Sequence, residues 1–124
     1  MLASNTADTS YLFRDTYPAQ LARDQHLRRT LEQAVAPAFR ITATELWAET
    51  RGSPNSAFAR QVAMYLAHVG CGLSLTEVGR LFARDRTTVA HACWLIEDRR
   101  EDHGFDRTLE LLEGVLRLFM LPIP

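Results

Sequence analysis

The sequence predicts an all-α domain, compact and helical, that carries a helix-turn-helix. Three observations predict it. Apolar residues recur at three- and four-residue spacing in successive segments. No pair of segments alternates apolar and polar residues as half-buried strands do. A serine-capped short segment, SLTEVGRLFA, is followed after a few residues by a second helical pattern that opens on polar residues, RDRTTVAHACWLIEDRR.

Taken in order, residues 1–17 read as an N-terminal tail, partly disordered, whose aromatic cluster Tyr11, Leu12, Phe13 and Tyr17 packs on the domain or serves as a short partner-binding motif. Residues 18–124 read as the helical domain, with the helix-turn-helix at about 74–102. Pro18 suits the first turn of a helix whose stripe is Leu21, Leu27 or Arg28, Leu31, Ala34 or Val35, and Ala38. Pro37 should end or bend it. Thr42 or Thr44 caps a short helix bearing Leu46 and Trp47, and TRGSPNS is a loop.

SAFARQVAMYLAHV places Phe58, Val62, Tyr65, Leu66 and Val69 on one buried face and stops at GCG. Ser74 and Glu77 stand three apart as a capping box. The helix they start turns Leu75, Val78, Leu81 and Phe82 inward. Asp85 is expected to cap the next helix, from Arg86 to about Asp102. After a break at His103-Gly104 comes a last amphipathic helix carrying Leu109, Leu112, Leu116 and Phe119. The apolar ending MLPIP is expected to dock on the core, a partner contact being the alternative.

Composition narrows the function classes. A chain of 124 residues supports one small core, not two full domains. The N-terminus lacks the layout of a secretory signal and no window is long and apolar enough to span a bilayer, so no membrane partner and a cytoplasmic, nucleoid-associated location are expected. Cys71 and Cys93 form no CxxC pair. His68, Cys71, His91 and Cys93 fail as a zinc set, because His91 and Cys93 diverge by about 200° on a helix. No metal and no cofactor are expected.

All fourteen basic residues are arginine. Without a lysine these residues hold neither a P-loop, whose lysine reaches nucleotide phosphates, nor a Schiff base, so no nucleotide partner is expected. Glu97, Asp98, Glu101 and Asp102 beside Arg99 and Arg100 read as a solvated, ion-paired helix face, and no catalytic constellation recurs, which argues against an enzyme. The net charge of −1 hides a basic middle: residues 51–91 hold five arginines against two acids, for +3, between acidic flanks. That is a local footprint for a polyanion.

On the helix after the turn, with Val89 as origin and about 100° per residue, Ala92, Cys93 and Ile96 form the inner face. Thr87, His91, Trp94 and Asp98 face outward, and Arg86 and Thr88 flank the outer face at its N-terminal end. In a helix-turn-helix those leading positions enter the major groove, where arginine pairs with guanine and a threonine methyl meets a thymine methyl.

The run FARQVAMYLAHVGCGLSLTEVGRLFARDRTTVAHACWLIE, residues 58–97, resembles the C-terminal DNA-binding domain of the bacterial replication initiator DnaA. The fragments ARQVAMYL, SLTEVG and FARDRTTVAHA carry the likeness in order and spacing, and VAPAFRI extends it weakly back to about Leu31, two thirds of the chain in all. The resemblance implies a double-stranded DNA reader of DnaA boxes, without the ATPase domain of DnaA itself. It implies phosphate contacts from Arg60 and Gln61, a minor-groove loop before the central helix, and reading by Arg84, Asp85, Thr87, Thr88 and His91.

Three departures follow from that comparison. Arg86 replaces the motif's histidine, which points to a guanine contact. The loop offers Arg51 as its one cation, which weakens phosphate binding. Trp94 and Leu95 stand where basic residues are usual, and two such apolar groups call for a cover: the chain's own N- or C-terminal segment in preference to a second copy or a replication protein. The alternative function is a protein-interaction module derived from this fold, with a weakened DNA face.

Overall fold

The computed structural model describes the backbone of residues 2–120 and the side chains of residues 18–120. Among the described residues there are helices and no strand. In chain order they are α1 (Leu2–Phe39), α2 (Ala43–Trp47), α3 (Pro54–Tyr65) continued by a π turn over Leu66–Gly70, α4 (Leu75–Phe82), α5 (Arg86–Arg99) and α6 (His103–Met120).

α1 starts at Leu2, well before the expected start at Pro18, and contains both prolines. A proline inside a helix removes one N–H and strains one turn, but flanking helical turns carry the backbone past it. The helix stops at Phe39, where Arg40 takes a left-handed φ of 56° and Ile41 N–H donates to Ala36 C=O over 3.0 Å. Arg40 N–H also donates to Pro37 C=O, so the last carbonyls of α1 are satisfied by a Schellman-type wrap. The aromatic cluster at Tyr11 to Tyr17 and the residues after Met120 in MLPIP lie outside the described side chains. Met120 itself packs half-buried against the core.

α3 is the centre of the molecule. Val62, Tyr65 and Leu66 are buried against Leu27, Leu31 and Val35 of α1 on one side and Val89 and Ile96 of α5 on the other. Leu46 of α2 and Leu109, Leu112 and Leu116 of α6 close the remaining sides. Burying each such aliphatic side chain stabilises the fold by about 1.5–3 kcal/mol. Val69 was expected on this face and is half-exposed instead. The π turn, closed by Cys71 N–H donating to Leu66 C=O, adds a residue to the helical repeat and rotates Val69 outward. Leu21, Ala38 and Phe119, also placed inward by periodicity, are exposed near the ends of their stripes.

The helix-turn-helix consists of α4 and α5. Ser74 Oγ accepts from Glu77 N–H and the Glu77 carboxylate accepts from Ser74 N–H, each over 3.1 Å, completing the capping box. The bond from Ser74 N–H first, and the Ser74 hydroxyl second, hold the Glu77 carboxyl below its ordinary range. α4 ends at Ala83, which takes the left-handed conformation at φ 54°. Arg84 N–H then donates to Gly79 C=O over 2.9 Å and folds the turn back on α4. A Cβ on Gly79 would sit 2.5 Å from Arg84 C=O, so only glycine admits this turn.

α5 buries Val89, Ala92 and Ile96, the face that periodicity predicts. It ends at Arg99, earlier than expected, and α6 begins at His103 where a break was expected. Asp102 Oδ1 accepts from the N–H groups of Gly104 and Phe105, so the carboxylate caps α6 and His103-Gly104 falls inside the first turn. Arg100 is not part of a solvated ion-paired face. It is mostly buried and donates to Asp106, to Glu113 over 2.9 Å and to Tyr65 Oη over 3.1 Å. Burial alone would lower its pKa, but these bonds outweigh burial and raise it. Tyr65 in turn donates to Glu97.

Two substitutions at the turn test this geometry in opposite directions. Gly79→Ala must displace Arg84 backbone and should destabilise the domain by about 1–3 kcal/mol. Ala83→Gly relieves the left-handed strain and should stabilise it by about 1 kcal/mol in urea unfolding. Equal and small changes for both would show that the turn is not held as described.

Candidate nucleic-acid interface

The leading turn of α5 is an exposed part of the helix-turn-helix. Arg86, Thr87 and Thr88 are exposed on it, and Val89 directly behind them is fully buried. The turn is thus a polar edge on a fixed base. The first α5 amide with a backbone partner is Val89 N–H, which donates to Asp85 C=O over 3.1 Å. The amides of Arg86, Thr87 and Thr88 precede it and point outward along the helix axis. Asp85 occupies the cap position with extended backbone, but its side chain makes no capping bond, contrary to expectation. The three amides therefore keep their donor capacity for an anion such as a phosphate.

Beside this turn lies a cleft of about 250 Å³ between the start of α3, the α2–α3 loop and α5. Arg51, Arg60, Gln61, Arg84 and Thr88 line it, with Glu49 as its one acid and Met64 at its floor. Five residues expected at the site from sequence therefore meet here. Glu49 and Met64 were not expected, and no spacing or motif marks them. His91 lies further along α5, exposed, its ring stacked at 6.4 Å and 15° on Trp94.

The cleft's arginines divide by task. Arg60 is only 4 % exposed. Its Nε donates to Leu46 C=O over 3.0 Å, and its two terminal nitrogens donate to Glu45 C=O over 2.6 Å and Arg51 C=O over 3.2 Å. Burial first and the neighbouring Arg84 second lower its pKa. Arg84 is half-buried and donates to Phe82 C=O and Ala48 C=O, each over 2.9 Å. These two guanidinium groups stitch the α2–α3 loop to α3 and to the turn. Arg51 and Arg86 are exposed.

The loop is further fixed by its caps. Ser53 Oγ accepts from Ser56 N–H over 3.1 Å and Ser56 Oγ donates to Glu45 over 3.0 Å. Glu45 also completes a capping box with Thr42. Asn55 ties the start of α3 to Phe39 C=O at the end of α1. A loop rich in glycine, proline and serine is thus held as one rigid wall of the cleft.

The family model for the bacterial dnaA protein helix-turn-helix matches residues 29–96, more than half of the chain and all of the cleft. The chain belongs to this family. Its fold is that of the DnaA helix-turn-helix DNA-binding domain. Among similar proteins, the chromosomal replication initiator DnaA of Bordetella pertussis is 39 % identical over 89 residues, covering 70 % of this chain and 19 % of that protein. The DnaA of Mesorhizobium japonicum is 35 % identical over 123 residues, 85 % of this chain and 25 % of its own. A crystal structure of a DNA replication initiation factor superposes with a TM-score of 0.65 at 26 % identity, over 89 % of this chain and 35 % of the other. The chain spans about a fifth to a quarter of the length of these DnaA relatives.

Arg60 gives one N–H from each guanidinium nitrogen to a backbone carbonyl, and with its side chain enclosed it holds the loop in place. Arg84 likewise gives its terminal nitrogens to backbone carbonyls. Gln61 is half-buried at the cleft. Trp94 is 63 % exposed, so no described residue covers it, whereas Leu95 is half-buried in the helix flank. No helix is long and apolar enough to cross a membrane, and no group of three His, Cys, Asp or Glu side chains converges as metal ligands, both among the described residues.

Arg60→Met removes three hydrogen bonds to carbonyls, one of them buried, and should cost about 2–3 kcal/mol of unfolding free energy. Arg51→Ala, at an exposed site, should change it by about 0.5 kcal/mol or less. Urea unfolding of both variants checks this, and a neutral Arg60→Met would remove Arg60 from its place as the loop's anchor.

Proposed function

We propose that the chain binds double-stranded DNA sequence-specifically at DnaA-box-like sites and so regulates replication initiation or transcription, without ATPase activity or catalysis. The observation that carries this reading is the exposed turn Arg86–Thr88 mounted on the buried Val89, beside a cleft lined by arginines. α5 enters the major groove with that turn. Arg86 reads a guanine through its two-pronged guanidinium, and the methyl groups of Thr87 and Thr88 meet thymine methyls. The α5 amides, Gln61 and Arg51 take phosphates, and Arg51 lies on the loop that faces the adjacent minor groove.

Family membership supports the reading, and so do the printed names of the relatives, which are chromosomal replication initiators. The absence of lysine from these 124 residues supports action without a P-loop. A cytoplasmic, nucleoid-associated location follows from the DNA partner.

The electrostatic share of binding is small in this scheme, because the loop before α3 offers Arg51 as its one cation and Glu49 lines the cleft beside it. Few released counterions mean a shallow dependence of affinity on salt. Specificity then rests on base contacts more than on charge.

A second reading, a protein-interaction module with a weakened DNA face, is favoured by one observation: Trp94, large and exposed, stacked on His91 on the outward side of α5. Exposed aromatic groups of this kind are common at protein contacts.

Fluorescence anisotropy with a labelled DnaA-box duplex and a scrambled duplex at one salt concentration separates the two. The DNA reader predicts preference for the box and a loss of about 1–3 kcal/mol from Arg86→Ala, with the circular dichroism unchanged. Equal weak binding to both duplexes, untouched by Arg86→Ala, would defeat it in favour of the module.

A further inference from the structure

α6 carries a second apolar face that the core does not use. Its inner face, Leu109, Leu112 and Leu116, is buried. On the opposite side Leu111 is 68 % and Leu118 72 % exposed, with Val115 beside them also exposed. Leu111, Gly114 and Leu118 follow one another at spacings of three and four, so they form a single stripe along the helix. Two large leucines this exposed on one stripe are a helix face without a partner among the described residues.

Gly114, between the leucines, is not required by any contact among the described residues. A Cβ there would meet nothing within 4 Å. Glycine in the middle of a helix is less favourable than alanine, and no contact of the described residues demands it. A small residue flanked by leucines on an exposed stripe lets a second helix come close at that point.

The charges beside the stripe identify which helix that is. Glu110 and Arg117 each precede a stripe leucine by one residue and so lie on the same flank, seven residues apart. Neither forms an ion pair among the described residues. The other flank holds Thr108 and Val115, without charge. If α6 meets a copy of itself running antiparallel about a two-fold axis near Gly114, Glu110 faces the other copy's Arg117 and the reverse pair forms by symmetry. Leu111 then packs against the other copy's Leu118. A parallel pair would oppose each charge to the uncharged flank instead. The pattern is self-complementary only in the antiparallel sense, as a two-fold interface requires.

We propose that two copies of the chain associate through this antiparallel pairing of α6. α6 packs on α1 and on the π turn, whereas the DNA-facing turn belongs to α5 and the cleft to the α2–α3 loop. The pairing therefore leaves both reading surfaces open, and the inference does not depend on what they read. One helix per copy is a small interface, so association is concentration-dependent.

Sedimentation equilibrium of the full chain, from about 10 µM to about 1 mM, tests the pairing. The wild-type chain should form dimers within that range. Glu110→Arg alone and Arg117→Glu alone should each weaken dimerisation by about tenfold or more, because each sets like charges opposite. The double variant Glu110→Arg/Arg117→Glu, and an equimolar mixture of the two single variants, should regain association within a few-fold of wild type. These positions are exposed, so the variants keep the fold, which circular dichroism verifies. A wild-type chain that stays monomeric, single variants that associate like wild type, or a double variant as weak as either single one would each overturn the proposal.

Discussion

The buried guanidinium of Arg60 is the interaction on which the cleft beside the first turn of α5 depends. It gathers the carbonyls of Glu45, Leu46 and Arg51 onto one planar group. These three carbonyls belong to the end of α2 and the loop after it. The Leu46 carbonyl is buried at this bond, and without its donor it would be left unpaired, which costs more than a hydrogen bond gains. Arginine suits the task because its donors form a fixed fork, whereas a lysine would offer a single point charge. Arg84 repeats the device from the other side by donating to Ala48 C=O. Loop, central helix and turn are thereby one rigid body, and the cleft between them has a defined shape.

This arrangement has an electrostatic consequence. The basic middle of the chain holds five arginines, yet Arg60 and Arg84 spend their donors on backbone carbonyls and Arg80 pairs with Asp24. Arg51 and Arg86 are left exposed, one on the loop and one on the leading turn of α5. The local positive charge is real, but most of it holds the scaffold. In place of a broad basic patch the domain offers a narrow edge: one arginine, two threonines and three outward amides. Under the proposed function, such an edge serves selectivity between sequences more than strength of binding.

Much of this was legible in the sequence, for identifiable reasons. The Ser74–Glu77 capping box and the inward set Val89, Ala92 and Ile96 follow from rules that act within a turn or two of helix, and both are present. The outward Arg86, Thr87 and Thr88 follow from the same periodicity. What escaped depended on groups far apart in the chain or on departures from the regular repeat. Val69 turned outward because a π turn inserts a residue, and no residue type announces a π turn. Arg60 looked like a solvent-facing cation because its acceptors are backbone carbonyls, and these carry no sequence identity. Its one clue was its setting among Ala59, Val62 and Ala63, all fully buried. Asp85 has the residue type and backbone of a cap, but its carboxylate does not make the bond.

The central claim is that the first turn of α5 meets DNA while Arg60 stays inside the protein holding the loop. Nitrogen-15 NMR of the chain titrated with a DnaA-box duplex reads both parts at once. The account predicts large shifts for the backbone amides of Arg86, Thr87 and Thr88, and an Arg60 Nε–H resonance that is slow to exchange with solvent before and after DNA is added. An Arg60 signal that exchanges freely in the absence of DNA, or α5 amides that do not move on binding, would contradict it.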